Sequence, residues 1–310
     1  MISTEDLLVE WFRTHSRLDQ GRFPIGIGDD MAQINLPSGG SVLITTDMLL
    51  SGVHFDLARH RLDQIGYKAM ACSLSDCAAM ASRPVAAVAA VGLANGFGPD
   101  AVKLIHQGIM KAADRYDCPL VGGDMTVWRQ TDLLAICVSM LSVPSPNGPI
   151  RRSGAMVGDA ICVTGGLGGS IHGRHLEFEP RVNEAMALAG MVRIHAMMDI
   201  SDGLASDLPR LCRQSHVGAI IRAADLPISD QARLSPDPIS SALSDGEDFE
   251  LLFTISQEDL ELLRRSWDQP VPITCIGQIT SGDKVLLTMP DGRTEPLGLR
   301  GYDHFERLDD

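Results

Sequence analysis

Five aspartate clusters, each beside an apolar run or a glycine-rich turn, constrain this chain more than any other feature. They are Gly28-Asp29-Asp30, Thr45-Thr46-Asp47, Ser75-Asp76, Gly122-Gly123-Asp124 and Asp199-Ile200-Ser201-Asp202-Gly203. A sixth acidic element, Gly246-Glu247-Asp248, lies near the end. Carboxylates at strand ends and tight turns converge readily, and several together repel unless hard cations or positive groups stand between them. A fold that gathers so many is expected to hold Mg²⁺, a cation that usually accompanies a phosphate substrate.

A length of 310 residues suits two domains better than one core. Hydrophobic residues make up 45% and charged residues 21%, the balance of a well-packed globular protein. The net charge of −14, from 40 acidic and 26 basic residues, argues against a nucleic-acid or anionic-membrane surface. Solubility alone would account for much of that excess. Seven scattered cysteines with no CxxC pair read as reduced core thiols of a cytoplasmic protein. The segment Met1-Ile2-Ser3-Thr4-Glu5-Asp6 has neither a basic region nor an apolar one, so no signal peptide is expected. No apolar run reaches about 18 residues, so no membrane span is expected.

Along the chain, 3–16 reads as an amphipathic helix with Leu7, Leu8, Trp11 and Phe12 on one face. A strand runs over 41–46 and ends at Asp47, and 61–81 reads as a helix rich in small residues. A strand over 85–93, a helix over 99–116 and a strand over 133–143 follow. Pro144-Ser145-Pro146-Asn147-Gly148-Pro149 is the densest cluster of breakers and marks a boundary between domains 1–148 and 149–310. The second half alternates again: strands at 160–164, 219–222 and 249–255, helices near 181–195, 203–216 and 257–266, and two short strands in the tail. Alternation in both halves favours a two-domain mixed architecture, α+β or α/β.

Each cluster also has a bland reading. Gly-Asp-Asp is good turn chemistry, and Asp47 could be an N-cap. Thr45, Thr46 and Asp47 nonetheless make a hard-oxygen set that suits Mg²⁺. Asp76 falls in a helix of small residues, where an unpaired acid would be costly, so it is either exposed or a ligand. Gly122 and Gly123 would let backbone approach a phosphate, with Asp124 holding a metal on it. Ser201, Asp202 and Gly203 open a helix and could offer N–H groups to an anion, whereas Asp207 reads as surface. Gly165-Gly166-Leu167-Gly168-Gly169 lacks both the GxGxxG spacing and the Lys-Ser/Thr ending of a P-loop, so it reads as a flexible turn. Arg151-Arg152 could fork onto phosphate or be a solvated linker pair. His54, taken alone, reads as structural or exposed.

Taken in order, these elements resemble the thiamine-monophosphate kinase family of the aminoimidazole-ribonucleotide synthetase superfamily. The matching stretches include Gly28-Asp29-Asp30, Thr45-Thr46-Asp47-Met48-Leu49, Gly66-Tyr67-Lys68-Ala69, Ser73-Leu74-Ser75-Asp76 and Val121-Gly122-Gly123-Asp124. They continue through Arg152-Ser153-Gly154, Asp199-Ile200-Ser201-Asp202-Gly203, Gly246-Glu247-Asp248-Phe249 and Gly301-Tyr302-Asp303. The resemblance implies an N-terminal sheet domain that forms a homodimer and a C-terminal α/β domain. It implies transfer of the ATP γ-phosphoryl group to thiamine monophosphate. By position, Asp30, Thr45, Thr46, Asp47, Asp76, Asp124, Asp199 and Asp202 are implied Mg²⁺ ligands, with Asp47, Asp124 and Asp202 at the chemistry. Gly123, Asp124, Arg152 and Ser201 are implied ATP contacts, and His54, Glu247 and Tyr302 implied thiamine-monophosphate contacts.

Met125 in place of a hydroxyl residue and Asp245 in place of glycine depart from the family pattern, and the short stretch from Gly165 to Arg181 bears on the outer wall of the acceptor pocket. The alternatives are a superfamily enzyme with another acceptor, a nucleotide-binding module without turnover, and a metal-dependent phosphatase. Hydrogenase-maturation and selenophosphate-synthetase relatives need reactive cysteines near one end or the other, whereas the cysteines here run from Cys72 to Cys275.

Overall fold

The computed structural model describes residues 3–298. The first half contains α1 (Thr4–His15), β1 (Ala32–Asn35), β2 (Ser41–Leu50), α2 (Leu62–Ala79), β3 (Ser82–Leu93), α3 (Pro99–Ala113), β4 (Leu120–Val127) and β5 (Ala135–Pro144). Its strands pair in the order β1-β2-β5-β3-β4, antiparallel except for β3 with β4. The second half contains β6 (Ala160–Thr164), α4 (Val182–Met191), β7 (Ile194–Asp199), α5 (Leu204–Ser215), β8 (Gly218–Arg222) and α6 (Pro238–Ser244). It closes with β9 (Leu251–Ile255), α7 (Gln257–Ser266), β10 (Ile273–Thr280), β11 (Val285–Thr288) and β12 (Thr294–Pro296). These strands pair in the order β12-β11-β8-β10-β6-β9-β7, with only β8 and β11 parallel. Among the described residues no helix is long and apolar enough to cross a membrane, and all seven cysteines are free thiols.

Three expected elements change in ways that move site residues. β2 does not stop before Asp47 but continues to Leu50, because the β-branched run hands over to Met48-Leu49-Leu50, which pairs with β5. Gly122-Gly123-Asp124 lies inside β4 rather than in a turn after a strand. The helix expected over 181–195 ends at Met191, and Ile194–Asp199 forms a strand against β9.

α2 is the keystone. Its residues from Ile65 to Ser75 are all buried, it lies across β2, β3 and β5, and it also meets β7 and α4 of the second half. One hydrophobic core therefore runs through both halves, holding Leu74 and Met140 together with Phe178, Leu188 and Phe253. β9 divides its side chains by the two-residue strand period: Leu251, Phe253 and Ile255 enter this core, while Leu252 enters a second one beneath α5.

Two glycines set how closely α2 and α3 approach. A Cβ on Gly66 would lie 2.1 Å from the Ile105 carbonyl oxygen, and one on Gly108 would lie 1.8 Å from that of Asp63. Backbone meets backbone there, so neither neighbour can yield by a rotamer change. Gly66→Ala is expected to destabilise the fold by about 1–3 kcal/mol, the range for overpacking. A urea-denaturation midpoint equal to wild type would show that the crossing is looser than described.

Candidate active site

The two halves enclose a cleft of about 1140 Å³ lined by Asp30, Asp47 and Asp76 from the first and by Arg152, Asp199 and Asp202 from the second. At its floor the carboxylate oxygens of Asp30, Asp76 and Asp199 all lie within 4.8 Å of one another. They arrive from the turn before β1, the last turn of α2 and the end of β7.

Hydroxyl groups aim these acids. Thr45 on β2 donates to Asp76 Oδ2 at 2.5 Å, Ser73 on α2 donates to Asp47 Oδ2 at 2.7 Å, and Ser75 donates to Asp199 Oδ2 at 2.5 Å. Sequence reasoning did not single out Ser73 or Ser75 as positioning groups. Their signal is the spacing Ser-x-Ser-Asp on a helix facing a strand that carries Asp47. Burial pushes the Asp199 carboxyl up to about 7, and the Asp30 charge adds to the shift. Burial likewise raises Asp76 well above the carboxylate range, with help from Asp47, Asp199 and Asp30, and raises Asp47 despite its bond from Ser73. The pocket thus gathers several carboxylates in one place, and the three clustered donors, Asp30, Asp76 and Asp199, are all hard oxygens. That donor chemistry fits Mg²⁺.

Arg152 supplies part of the balance. It is not a solvated linker residue: its guanidinium forks onto Asp30 and its N–H donates to Asp29 Oδ1 at 2.7 Å. The Asp30 side chain is fully buried beneath it. Arg151 is exposed.

Asp202 lines the cleft but stands apart from the three acids, ion-paired to Arg210. Asp207, expected at the surface, is fully buried because it accepts from Arg210 Nη1 at 3.0 Å and from the Asp202 N–H at 3.1 Å. That second bond serves the α5 N-terminus internally, so the anion-binding N–H set expected at Ser201-Asp202-Gly203 is partly taken. Ser201 lines the cleft, and its carbonyl accepts the Glu247 N–H at 2.6 Å.

Strand pleat separates the remaining residues. Asp47, Val138, Ala89 and Gly123 are register partners across β2, β5, β3 and β4, and Val138 and Ala89 are buried. Asp124 belongs to the adjacent row with Met48, Cys137 and Ala90, which faces the other way. That opposite face also presents Ile44, Met48, Leu50 and Val88, all exposed. The Thr46 hydroxyl is on it too, bonded to Ser139 Oγ at 2.9 Å, so only the backbone of Thr46 turns to the cleft. Gly123 has a packing reason to be glycine: a Cβ would lie 2.0 Å from the Ala89 carbonyl oxygen.

His54 lines the cleft, and its Nδ1 accepts the Leu50 N–H at 3.0 Å. Glu247 is gripped by Lys68 at 2.6 Å and by His175 at 2.7 Å. The glycine turn after β6 is tied down rather than loose. Asp248 accepts the Gly168 N–H, and Asp245, one of the departures from the family pattern, accepts the Gly169 N–H at 2.8 Å. The stretch from Gly165 to Arg181 folds as two short turns, Ser170–His172 and Arg174–Leu176, that place Arg174 and His175 against the acidic loop. Tyr302 lies outside the described residues.

The structure is a two-domain α/β fold that closes a carboxylate-lined cleft over α2, which packs against both halves. Residues 28–143 match the family described as AIR synthase related protein, N-terminal domain, and residues 157–289 match its C-terminal domain. A thiamine-monophosphate kinase of Rhodopirellula baltica is 36% identical over 294 residues, covering 91% of this chain and 92% of the relative. A solved structure described as AaThiL complexed with AMPPCP and TMP is similar with a TM-score of 0.81 and 27% identity, covering 98% of this chain and 97% of that one. The thiamine-monophosphate kinase of Stenotrophomonas maltophilia K279a is similar with a TM-score of 0.71 and 31% identity, over 93% of this chain and 96% of that one. The chain belongs to the thiamine-monophosphate kinase family.

Proposed function

We propose that the protein transfers the γ-phosphoryl group of ATP to the phosphate of thiamine monophosphate, giving ADP and thiamine diphosphate. The observation that carries this reading is the convergence of Asp30, Asp76 and Asp199, from both halves of the chain, in one cleft large enough for two phosphate-bearing molecules. The family supports it, as does a structural relative described with an ATP analogue and TMP bound.

Two phosphates repel, so the site must neutralise and align them before anything else. Mg²⁺, when bound, supplies that neutralisation and stabilises charge in the transition state. Asp30, Asp47, Asp76 and Asp199 would hold it, with Thr45, the Thr46 backbone and Asp202 at the margin. Arg152 and Ser201 are assigned to the ATP side, and His54 and Glu247 to thiamine monophosphate. An acceptor phosphate oxygen is already nucleophilic at neutral pH, so it attacks the γ-phosphorus in line as the bond to ADP breaks. No covalent enzyme intermediate is needed.

Asp124 keeps its assigned role at ATP and metal only if a second copy brings it in, because it shares the open apolar sheet face with Met48 and Val88, whereas Gly123 lies in the row of Asp47. We assign that face to a homodimer, place the domain division at 148/149, and place the free-thiol protein in the cytoplasm. The test is incubation with ATP, Mg²⁺ and either thiamine monophosphate or a panel of other phosphate acceptors, with products identified by mass. Thiamine diphosphate and ADP in equal amounts are expected. ADP release that does not depend on thiamine monophosphate, or inorganic phosphate as the product, would contradict the assignment.

A further inference from the structure

Lys68 has no exposed surface and is among the largest fully buried side chains of the protein. A buried ammonium is costly unless its donors are matched. Here Nζ donates to Glu247 Oε1 at 2.6 Å and to the His54 carbonyl oxygen at 2.7 Å, and it lies 2.9 Å from His175 Nδ1. His175 Nδ1 is also 2.7 Å from the other oxygen of Glu247. An ionised carboxylate only accepts, so the Nδ1 proton points to Glu247, and Lys68 uses its bonds on Oε1 and on the His54 carbonyl. Both Glu247 oxygens are then committed. Burial opposes the charge on Glu247, and the His175 and Lys68 contacts overcome it, holding this carboxyl below its usual range.

The partners come from three separate segments: the turn after β2, the short turn Arg174–Leu176, and the loop between α6 and β9. That last loop is strained. Glu247 and Phe249 have φ of 54° and 51°, in the left-handed region that non-glycine residues avoid. Such residues persist only where the surroundings over-determine them. Lys68, on the rigid helix shared by both halves, provides that constraint.

We propose that Lys68 is a positioning residue for the acceptor: with His175 it fixes Glu247 and the His54 segment as one unit across the two halves of the cleft. It touches neither the carboxylate cluster nor the residues assigned to ATP. The inference rests on the acceptor site proposed above.

The experiment measures steady-state KM for each substrate in Lys68→Met, Glu247→Gln and the double variant, with folding checked by circular dichroism. Lys68→Met leaves Glu247 buried without its cation, whereas the double variant carries neither charge and keeps the test alive if the single variant does not fold. The expected result is a rise in KM for thiamine monophosphate of about tenfold or more in each folded variant, the scale of a lost charge-assisted contact, with KM for ATP within about twofold. Because Lys68 and Glu247 belong to one hydrogen-bonded unit, the double variant should be no worse than the more impaired single variant. An unchanged KM for thiamine monophosphate, multiplicative effects, or an equal rise in KM for ATP would overturn the proposal. A wild-type enzyme that makes no thiamine diphosphate would overturn the acceptor assignment itself, and this inference with it.

Discussion

Asp199→Asn lowers the rate of thiamine diphosphate formation by about three orders of magnitude, the scale expected when a carboxylate that holds a phosphate-neutralising cation loses its charge. The fold survives the change. Asparagine is nearly isosteric, its carbonyl still accepts the Ser75 hydroxyl, and it resembles the protonated acid that burial and the Asp30 charge already favour. The variant without divalent cation should therefore melt at or above the wild-type temperature, because one like charge has left the cluster. Activity falls while the cation-free fold does not weaken, a combination that simple misfolding cannot give. Near-normal turnover would remove Asp199 from the site, and a large fall in melting temperature would show its charge to be structural.

Stability of the cation-free protein is expected to fall as pH rises from about 5 to 8. The Asp199 carboxyl sits at about 7 in the fold against an ordinary 3.8. A carboxyl raised in the fold binds its proton more tightly there than in the unfolded chain. Its stabilising contribution is complete below the ordinary value and is lost as pH climbs through the folded one, at about 1.4 kcal/mol per pH unit for one group. Asp76 and Asp47 shift the same way and deepen the fall. Glu247 and Asp6 are lowered in the fold from ordinary values of 4.5 and 3.8, so their opposite contributions lie at more acid pH. His60, lowered from 6.5, and Cys275, lowered from 9.0 to about 6, oppose the fall inside the window, while the raised Asp207 and Asp248 add to it. Thermal melting in chelator should drop by about 5 °C or more across the range. Saturating Mg²⁺ should flatten the profile, since the cation replaces the protons. Parallel profiles with and without Mg²⁺ would contradict the account.

Sequence reasoning picked out acids that the fold brings to the cleft better than it showed which way they point. Asp30, Asp47, Asp76 and Asp199 could be singled out because each interrupts an apolar or glycine-rich run where an acid is otherwise costly. Thr46 and Asp124 could not be placed, because their faces depend on strand register and a one-residue difference reverses every side chain. The partnership of Arg152 with Asp30 joins residues 122 apart and leaves no local pattern. Asp207 did have a signal that was not used: Arg210 stands three residues on along α5, the right spacing for an ion pair. Lys68 had one as well, since it lies in Tyr67-Lys68-Ala69-Met70-Ala71-Cys72, where every neighbour is buried and a lysine needs a specific partner. The mixed strand–helix make-up of both halves was legible from the alternation of elements, while the sharing of one core through α2 emerged only from the packing.

The most direct test of the account is a Mn²⁺ titration followed by electron paramagnetic resonance, on wild-type protein and on an Asp30→Asn, Asp76→Asn, Asp199→Asn triple variant, each with and without a non-hydrolysable ATP analogue. Wild type should bind Mn²⁺, and more tightly when the analogue is present, while the folded triple variant binds no more than the free nucleotide does. Equal Mn²⁺ binding by the two proteins would show that these carboxylates do not form the metal site.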